Sequence, residues 1–492
     1  MRKIKTIQEI IGTIPILQTR GATDKPIKSL CFDTRDVQDD ALFVAQKGTQ
    51  TDGHLFIEQA VSKGAVCIVA EQLPEKLQDN ITYLQVKSSP CTLALLASNF
   101  YDNPSRKLKL IGITGTNGKT TTATLLWHLF SDLGFKTGLL STIENKIGQT
   151  SISSTHTTAD AIQINRLLSQ MAEEGCSYCF MEVSSHAIVQ QRICGLEFAG
   201  GVFTNLTHDH LDYHKTFKEY INAKKLFFDN LPKTAFALAN TDDPNGKIML
   251  QNTSAQRKTY SLYTADCDFK AKLNENTMEG INLSIDNQNV WFQLVGKFNA
   301  YNLLSIYATA VLLGMDKEEV LQKMSLLKSA KGRFTVIRDK DISLIIDYAH
   351  TPDALSNVLQ TIQDVIVQDQ EIITVVGCGG NRDKSKRPTM AKIACQLSSK
   401  VILTSDNPRG EDPKKILNDM LEGVPAKDEH KVFVIDDRKQ AIKMALTMAK
   451  PKTIVLIAGK GHEKYQEING VKYDFDDMEI AKTYLQNLNL NK

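Results

Sequence analysis

Residues 114–121 read Thr-Gly-Thr-Asn-Gly-Lys-Thr-Thr, directly after the apolar run Leu108-Lys109-Leu110-Ile111-Gly112-Ile113. A strand entering such a turn and leaving as a helix points backbone N–H groups at phosphate oxygens, and the helix N-terminus adds to their pull. Gly115, Thr116, Asn117 and Gly118 would form the cradle, and Thr121 begins a helix expected to run to about Leu133, with Gly134 placed to end it. Lys119 can reach a terminal phosphate, and the Thr120 hydroxyl can ligate Mg²⁺. The strict phosphate-loop spacing wants a glycine five residues before Gly118, where this chain has Ile113. The loop is a variant, and ATP with Mg²⁺ is its expected ligand.

A second cluster follows two more strand-like runs: Met181-Glu182-Val183-Ser184-Ser185-His186, then Phe203-Thr204-Asn205-Leu206-Thr207-His208-Asp209-His210-Leu211-Asp212-Tyr213-His214. Glu182 is a hard oxygen donor suited to Mg²⁺, and His210 can ligate the same ion or a second one. Three histidines this close also fit a zinc site or simple loop decoration. Further on, three glycine-bearing charged loops each follow a β-branched run: Gly377–Lys384, Ser405–Gly410 and Gly459–Glu463. In a parallel α/β sheet, ligands bind beyond the carboxyl ends of the strands, so the three loops are expected to share one pocket.

The elements that must hold these loops in place are legible more coarsely. A chain of 492 residues, 42% hydrophobic and 23% charged, is a soluble-type sequence of two to four domains. Three blocks are expected: 1–105, mixing short strands and helices; 106–335, starting with the phosphate-loop strand; and 336–492. The last block alternates strand-like runs (Ile372–Val376, Val401–Thr404, Val432–Ile435, Ile454–Ala458) with helix-like segments such as Lys414–Glu422 and Lys439–Ala449. That alternation predicts an α/β fold, a mostly parallel sheet with helices on both faces. The net charge of +2 offers no nucleic-acid or membrane surface. The N-terminus lacks a secretory h-region, and the longest apolar stretch, Leu303–Met315, is too short to span a bilayer. Nine scattered cysteines, an odd number, predict reduced thiols in a cytoplasmic protein, with Cys176 and Cys179 as core packing.

The G-T-N-G-K-T-T loop resembles that of the Mur ligases, the amide-forming enzymes of peptidoglycan assembly, and of the related folylpolyglutamate synthetases. Glu182 in E-V-S-S-H and His210 in D-H-L-D match the family's Mg²⁺ motifs. Lys224 in Tyr220-Ile221-Asn222-Ala223-Lys224 matches its carbamylated lysine, which as N6-carboxylysine would hold a second ion. Asn299 and Arg333 resemble its adenine- and phosphate-side elements, and Asp347 and His350 its interdomain ATP contact. The resemblance covers nearly the whole chain and implies three domains: a small N-terminal α/β domain for the nucleotide, a central ATP domain and a C-terminal Rossmann-like α/β domain.

Within the family the match is closest to the member that adds meso-2,6-diaminopimelate to UDP-N-acetylmuramoyl-L-alanyl-D-glutamate. Phe32 and Thr34 fall at its uridine site, Thr34 standing where serine is usual. Thr157, Thr158, Ser184, Gln190 and Arg192 match its contacts to the muramoyl dipeptide, with His156 where asparagine is frequent. Asp406-Asn407-Pro408-Arg409, with Arg382, Gly459 and Glu463, match its diamino-acid contacts. The chemistry is sensible, because diaminopimelate differs from lysine by a distal carboxylate that a guanidinium can grip with two charge-assisted bonds. The implied reaction is ATP-driven amide formation through an acyl phosphate, with Lys119, Lys224 and His210 as catalytic groups and a monomer acting on small molecules. The rival readings are the lysine-adding ligase of the same step, another Mur or folylpolyglutamate-type ligase, and a simple phosphate-loop ATPase. No side-chain base for the amine is evident in the sequence.

Overall fold

The computed structural model describes residues 4–48, 51–154, 156–207, 211–339, 342–366 and 369–490. Three main sheets follow one another along the chain. The first has five strands, in the order Gln18–Arg20, Thr82–Gln85, Ala65–Ala70, Ala41–Val44 and Ser29–Cys31. Only the Gln18–Arg20 strand pairs antiparallel. The helices Ile7–Ile11 and Ser89–Phe100 bury their apolar faces against one side of it.

The second sheet has eleven strands. Lys109–Thr114 lies near its middle, parallel to Tyr178–Glu182 on one side and to Gly200–Phe203 on the other. The carboxyl ends of these three strands therefore emerge side by side. Apart from Lys109, every residue of 109–114 is buried, as expected of a strand covered on both faces. Helices Lys119–Asp132 and Lys297–Leu312 close one face, with Leu125, Leu129, Leu303 and Ile306 in a shared core. Helices Ala161–Glu173 and Phe217–Asp229 close the other. An antiparallel meander, Phe269–Thr277, Gly280–Ile285 and Gln288–Phe292, extends the sheet beyond its parallel part. Asp286 and Asn287, both with left-handed φ, make its second turn.

The third sheet has six strands, in the order Thr335–Asp339, Ile342–Asp347, Ile454–Ala458, Ile372–Val376, Lys400–Leu403 and Val432–Val434. All pairings but the first are parallel, and helices cover both faces. The carboxyl ends of 342–347, 454–458, 372–376 and 400–403 carry the loops expected to form one pocket, plus the segment 348–352. The apolar stretch 303–315 belongs to the helix Lys297–Leu312, and no helix among the described residues is long and apolar enough to cross a membrane.

One expectation is corrected. Cys91 and Cys194 form a disulfide, with Cα atoms 5.5 Å apart. It ties the helix Ser89–Phe100 of the first block to the segment after Val189 in the second. The partners are 103 residues apart in sequence, so no local spacing announced them. Cys176 and Cys179 are free thiols buried in the core, as read.

The loops of the third sheet are held from behind by a fully buried ion pair. Arg438 donates from Nε to Asp477 Oδ1 at 2.8 Å and from Nη2 to Asp477 Oδ2 at 2.7 Å. The same guanidinium donates to the carbonyls of Ala458 and Ser405, at the ends of two strands. Both side chains are 0% exposed. Removing one partner leaves an uncompensated buried charge, so Asp477→Asn or Arg438→Ala should cost about 3–5 kcal/mol. Chemical denaturation of the third block, followed by tyrosine fluorescence or hydrogen exchange, measures this. A change within ±0.5 kcal/mol, the usual range for a surface site, would remove the pair from its structural role.

Candidate active site

The phosphate-loop turn joins Lys109–Thr114 to the helix Lys119–Asp132. Gly118 sits at φ 86° and caps the helix, and no side chain caps it. A Cβ on Gly118 would fall 2.5 Å from Asn302 Oδ1, so only glycine fits. The amides of Thr116 and Asn117 bond to the carbonyl and side-chain oxygen of Asn205, which fixes the loop to the neighbouring strand end. Lys119 folds back along the loop, donating to the carbonyls of Gly115 at 2.9 Å and Thr116 at 2.7 Å. Lys224 arrives from the helix Phe217–Asp229, 1% exposed, and donates to the same Gly115 carbonyl at 2.8 Å. Its ammonium also lies 4.7 Å from the centre of the Tyr220 ring. Two lysines thus converge on one turn, a strongly positive setting for phosphate.

Glu182 ends the adjacent strand and is 0% exposed. Oε2 accepts from Thr120 Oγ1 at 3.0 Å, and Oε1 from the amide of Thr142 at 2.7 Å. No cation pairs with this carboxylate among the described residues. A buried anion beside a hydroxyl, both hard oxygen donors, fits a divalent cation. Thr120 and Glu182 are therefore brought together as read, with Lys224 on the same loop. His210 lies outside the described residues.

The segment that leads into the third sheet reaches into this centre. Arg333 donates from Nη2 to Thr120 Oγ1 at 3.0 Å, and its guanidinium stacks 4.7 Å from the centre of the Tyr348 ring. Asp347 accepts from the amide of Phe334 at 2.6 Å. Burial pushes its carboxyl above the ordinary range, and Arg333 pulls it back. Asn299 is buried, bonded to Val295 O and Asn302, so it shapes the turn near Gly118. His350 bonds the Tyr348 carbonyl at 2.8 Å.

Four of the residues matched to the dipeptide, Thr158, Ser184, Gln190 and Arg192, form one network. Thr158 Oγ1 donates to the Glu182 carbonyl at 2.8 Å and accepts from the Ser184 amide at 3.0 Å. Arg192 donates to Thr158 O at 2.7 Å and to Gln190 Oε1 at 2.9 Å. Thr157 stands beside them. Phe32 and Thr34 belong to the first sheet's loops, where Phe32 is 39% exposed and Thr34 bonds Gln59. Among the described residues, no hydrogen bond or ion pair joins them to the network.

Arg382, Asp406, Asn407, Arg409, Gly459 and Glu463 line one cavity of about 500 Å³, together with His350 and His186. Pro408 is absent from the lining; its carbonyl turns to the Glu411 amide instead. Asp406 is 8% exposed, and its Oδ2 is buried without a hydrogen-bond partner. Gly459 has φ 115°, and a Cβ there would fall 2.6 Å from that same oxygen. Glu463 accepts from Asn407 Nδ2 at 2.8 Å and from buried Lys460 at 2.9 Å. Arg382 is exposed at the rim. Cationic and anionic groups therefore face one cavity, the complement of a zwitterion.

One tie across the site has no signal in sequence. Asp353, at the start of the helix Pro352–Val365, accepts from Asn117 Nδ2 at 2.9 Å and Thr207 Oγ1 at 2.8 Å, pinning the third block to the phosphate loop. Asn302 abuts Gly118, and its place in Phe298-Asn299-Ala300-Tyr301-Asn302 was the available hint. His186 lines the amino-acid cavity from the central domain, its ring 4.1 Å from that of Tyr213.

Family models and relatives match nearly the whole chain. Residues 26–101 match the model described as Mur ligase family, catalytic domain; 113–310 the Mur ligase middle domain; and 332–461 the Mur ligase, glutamate ligase domain. The UDP-N-acetylmuramoyl-L-alanyl-D-glutamate–2,6-diaminopimelate ligase of Cytophaga hutchinsonii is 56% identical over 98% of this chain and 99% of its own length. The ligase of the same name from Phocaeicola vulgatus is 52% identical, with the same coverage. A solved structure of a UDP-N-acetylmuramoyl-L-alanyl-D-glutamate–2,6-diaminopimelate ligase superposes with TM-score 0.69 at 32% identity, covering 99% of this chain and all of the other. A MurF ligase from Thermotoga maritima in complex with ADP shares the fold, with TM-score 0.62 at 18% identity over 94% of this chain and 99% of its own.

His462 gives this interface a pH dependence. Burial, and then the nearby charges of Arg333, Lys331, His350 and Lys460, hold it down at about 3. Its Nδ1 is buried without a partner among the described residues. An unfolded histidine takes its proton near 6.5. Between those values the unfolded chain binds a proton that the native chain refuses, so native stability falls as pH drops through the window. From about pH 7 to about pH 5 the denaturation midpoint of wild type should fall more steeply than that of His462→Gln. Parallel pH profiles for the two proteins would exclude this histidine as a source of acid sensitivity.

Proposed function

The chain belongs to the Mur ligase family, and from that premise we propose that it joins meso-2,6-diaminopimelate to UDP-N-acetylmuramoyl-L-alanyl-D-glutamate, forming an amide as ATP becomes ADP and phosphate. The observation that carries the substrate assignment is the cavity bearing both Arg409 and the orphaned Oδ2 of Asp406. The distal end of diaminopimelate is itself an ammonium next to a carboxylate. Arg409 and Arg382 suit the carboxylate; Asp406 and Glu463 suit the ammonium. Lysine, the substrate of the rival reading, would bring no anion to Arg409.

The family's three-domain division is assigned to 1–105 for the uridine nucleotide, 106–335 for ATP and 336–492 for the amino acid. Phe32 and Thr34 take the uridine end. Thr157, Thr158, Ser184, Gln190 and Arg192 hold the muramoyl dipeptide beside Glu182. The turn 115–118, the start of the helix at Lys119–Thr121, Asn299 and Arg333 hold ATP, with Asp347 and His350 at the domain joint. Precursor synthesis places the enzyme in the cytoplasm, acting as a monomer.

The D-glutamate side-chain carboxylate attacks the γ-phosphorus, ADP leaves, and an acyl phosphate forms. Lys119 leaves its loop carbonyls to meet the transferring phosphoryl group, where preorganised donors stabilise charge as it develops. Mg²⁺, held by Thr120, Glu182 and His210, and by Lys224 as its carbamate, would neutralise phosphate charge. The free amine of diaminopimelate then attacks the acyl carbon, loses its proton, and phosphate departs. Holding both reactants in facing pockets supplies acceleration by positioning alone.

Arg409→Ala tests the substrate. Losing this charge-assisted contact should cost on the order of 2–5 kcal/mol with diaminopimelate, roughly 30- to several-thousand-fold in kcat/KM. Weak use of lysine should change far less. Measured with ATP, Mg²⁺ and the muramoyl dipeptide, a wild type that prefers lysine, or equal losses for both amino acids, would withdraw the diaminopimelate assignment.

Lys224 tests the carbamate. Lys224→Ala should be nearly inactive and partly rescued by short carboxylates, and mass spectrometry of the native protein should find an extra carboxyl group on that lysine. Full activity without Lys224 would exclude it from the metal site.

A further inference from the structure

Arg409 is not free to turn. Its backbone lies in the left-handed region at φ 54°, and its amide donates to the Glu467 carbonyl at 2.9 Å. Nη1 donates to the carbonyl of Gly380 at 3.0 Å. A Cβ on Gly379 would fall 2.8 Å from the same Nη1, so the guanidinium lies close against that turn. Nε faces Glu467 Oε2 at 3.4 Å. Nη2 has no partner among the described residues, and Arg409 lines the amino-acid cavity.

Glu467 belongs to the hairpin Tyr465–Ile468/Val471–Asp474, whose Asn469-Gly470 turn has both φ values positive. The hairpin grips the Asp406–Arg409 loop at more points than the carboxylate alone. Gln466 Nε2 donates to Asp406 O at 2.7 Å, the Glu467 amide donates to Asn407 Oδ1 at 3.0 Å, and Arg409 bridges to Ile468. The carboxylate of Glu467 can therefore be removed while the backbone clamp stays.

We propose that Glu467 is a positioning residue for amino-acid selectivity: its carboxylate occupies the Nε edge of Arg409 and so presents Nη2 to the distal carboxylate of the substrate. A guanidinium can grip a carboxylate through its Nε/Nη2 edge or through its Nη1/Nη2 end. With Nε facing Glu467 and one Nη1 hydrogen on the Gly380 carbonyl, Nη2 and the second Nη1 hydrogen are left for the ligand. Without Glu467 the guanidinium can rotate between grips and loses the preorganisation that a bidentate contact needs. Glu467 is not among the cavity's lining residues, so it acts through Arg409. The inference rests on the proposed use of diaminopimelate.

The test is steady-state kinetics with meso-diaminopimelate and with L-lysine, for wild type, Glu467→Ala and Glu467→Gln. Glu467→Ala should raise KM for diaminopimelate about 2- to 10-fold, the cost of immobilising one long side chain on binding, with kcat little changed. Glu467→Gln keeps an acceptor at Nε and should recover much of the loss. Lysine kinetics should not move in either variant, which separates positioning from general damage to the fold. An unchanged or lowered KM for diaminopimelate in Glu467→Ala, or a parallel loss for both amino acids, overturns the role of Glu467. A wild type that makes no product with diaminopimelate overturns the substrate reading, and this inference with it.

Discussion

Arg333 is the joint on which the geometry of the site turns. One guanidinium donates to Thr120 on the phosphate-loop helix and stacks on Tyr348 just past a strand of the third sheet. The next residue, Phe334, has a left-handed φ of 45° and gives its amide to buried Asp347. That conformation is costly for an aromatic residue and persists only where its surroundings over-determine it. Thr120 in turn donates to Glu182, so a continuous chain of contacts runs from the second sheet's metal-type carboxylate to the third sheet's strand ends. Asp353 adds a second tie, through Asn117.

The distribution of charge follows from where strands end. Each cluster of functional side chains lies past the carboxyl end of a strand, where the sheet stops supplying backbone partners and loops are free to face a ligand. Burying charge there is tolerable only in company. Arg438 and Asp477 satisfy one another; Lys460 and Asn407 both donate to Oε2 of Glu463, which leaves its Oε1 without a hydrogen bond among the described residues. Glu182 and Asp406 keep acceptor capacity that no cation among the described residues fills, and these two are the groups matched to a metal ion and to a substrate ammonium. Structural pairs are closed; ligand-facing groups are left incomplete.

What could be read in the sequence was what is local. The phosphate-loop helix, expected from Thr121 to Leu133, runs Lys119–Asp132, because glycines at both ends punctuate it. The α/β alternation of the third block was visible because three of its strands are short β-branched runs followed by glycine-bearing loops, and the three loops do line one cavity. What escaped depends on tertiary approach. Asp353 meets Asn117 across 236 residues, and the Cys91–Cys194 bond spans 103. The meander 269–292 leaves no such signature, because its strands are amphipathic and partly exposed, unlike the uniformly apolar parallel ones. Lys224 is singled out by the family resemblance alone, since nothing in its own helix shows that it is 1% exposed against the Gly115 carbonyl.

The amino-acid cavity draws its walls from His186 and from residues 348–463, while the phosphate loop is complete within the second sheet. During synthesis, chains emerge and fold from the N-terminal end, domain by domain. A ribosome-bound intermediate that has released the second sheet carries the nucleotide cradle, but neither Arg333 nor the cavity's far wall. Arg438 and Asp477, which brace two of the cavity's loops, come later still, near the end of the chain. Assembly of the site is thus a late event of translation, and a prematurely terminated chain retains the loop that meets phosphate without the pocket that would put its energy to use.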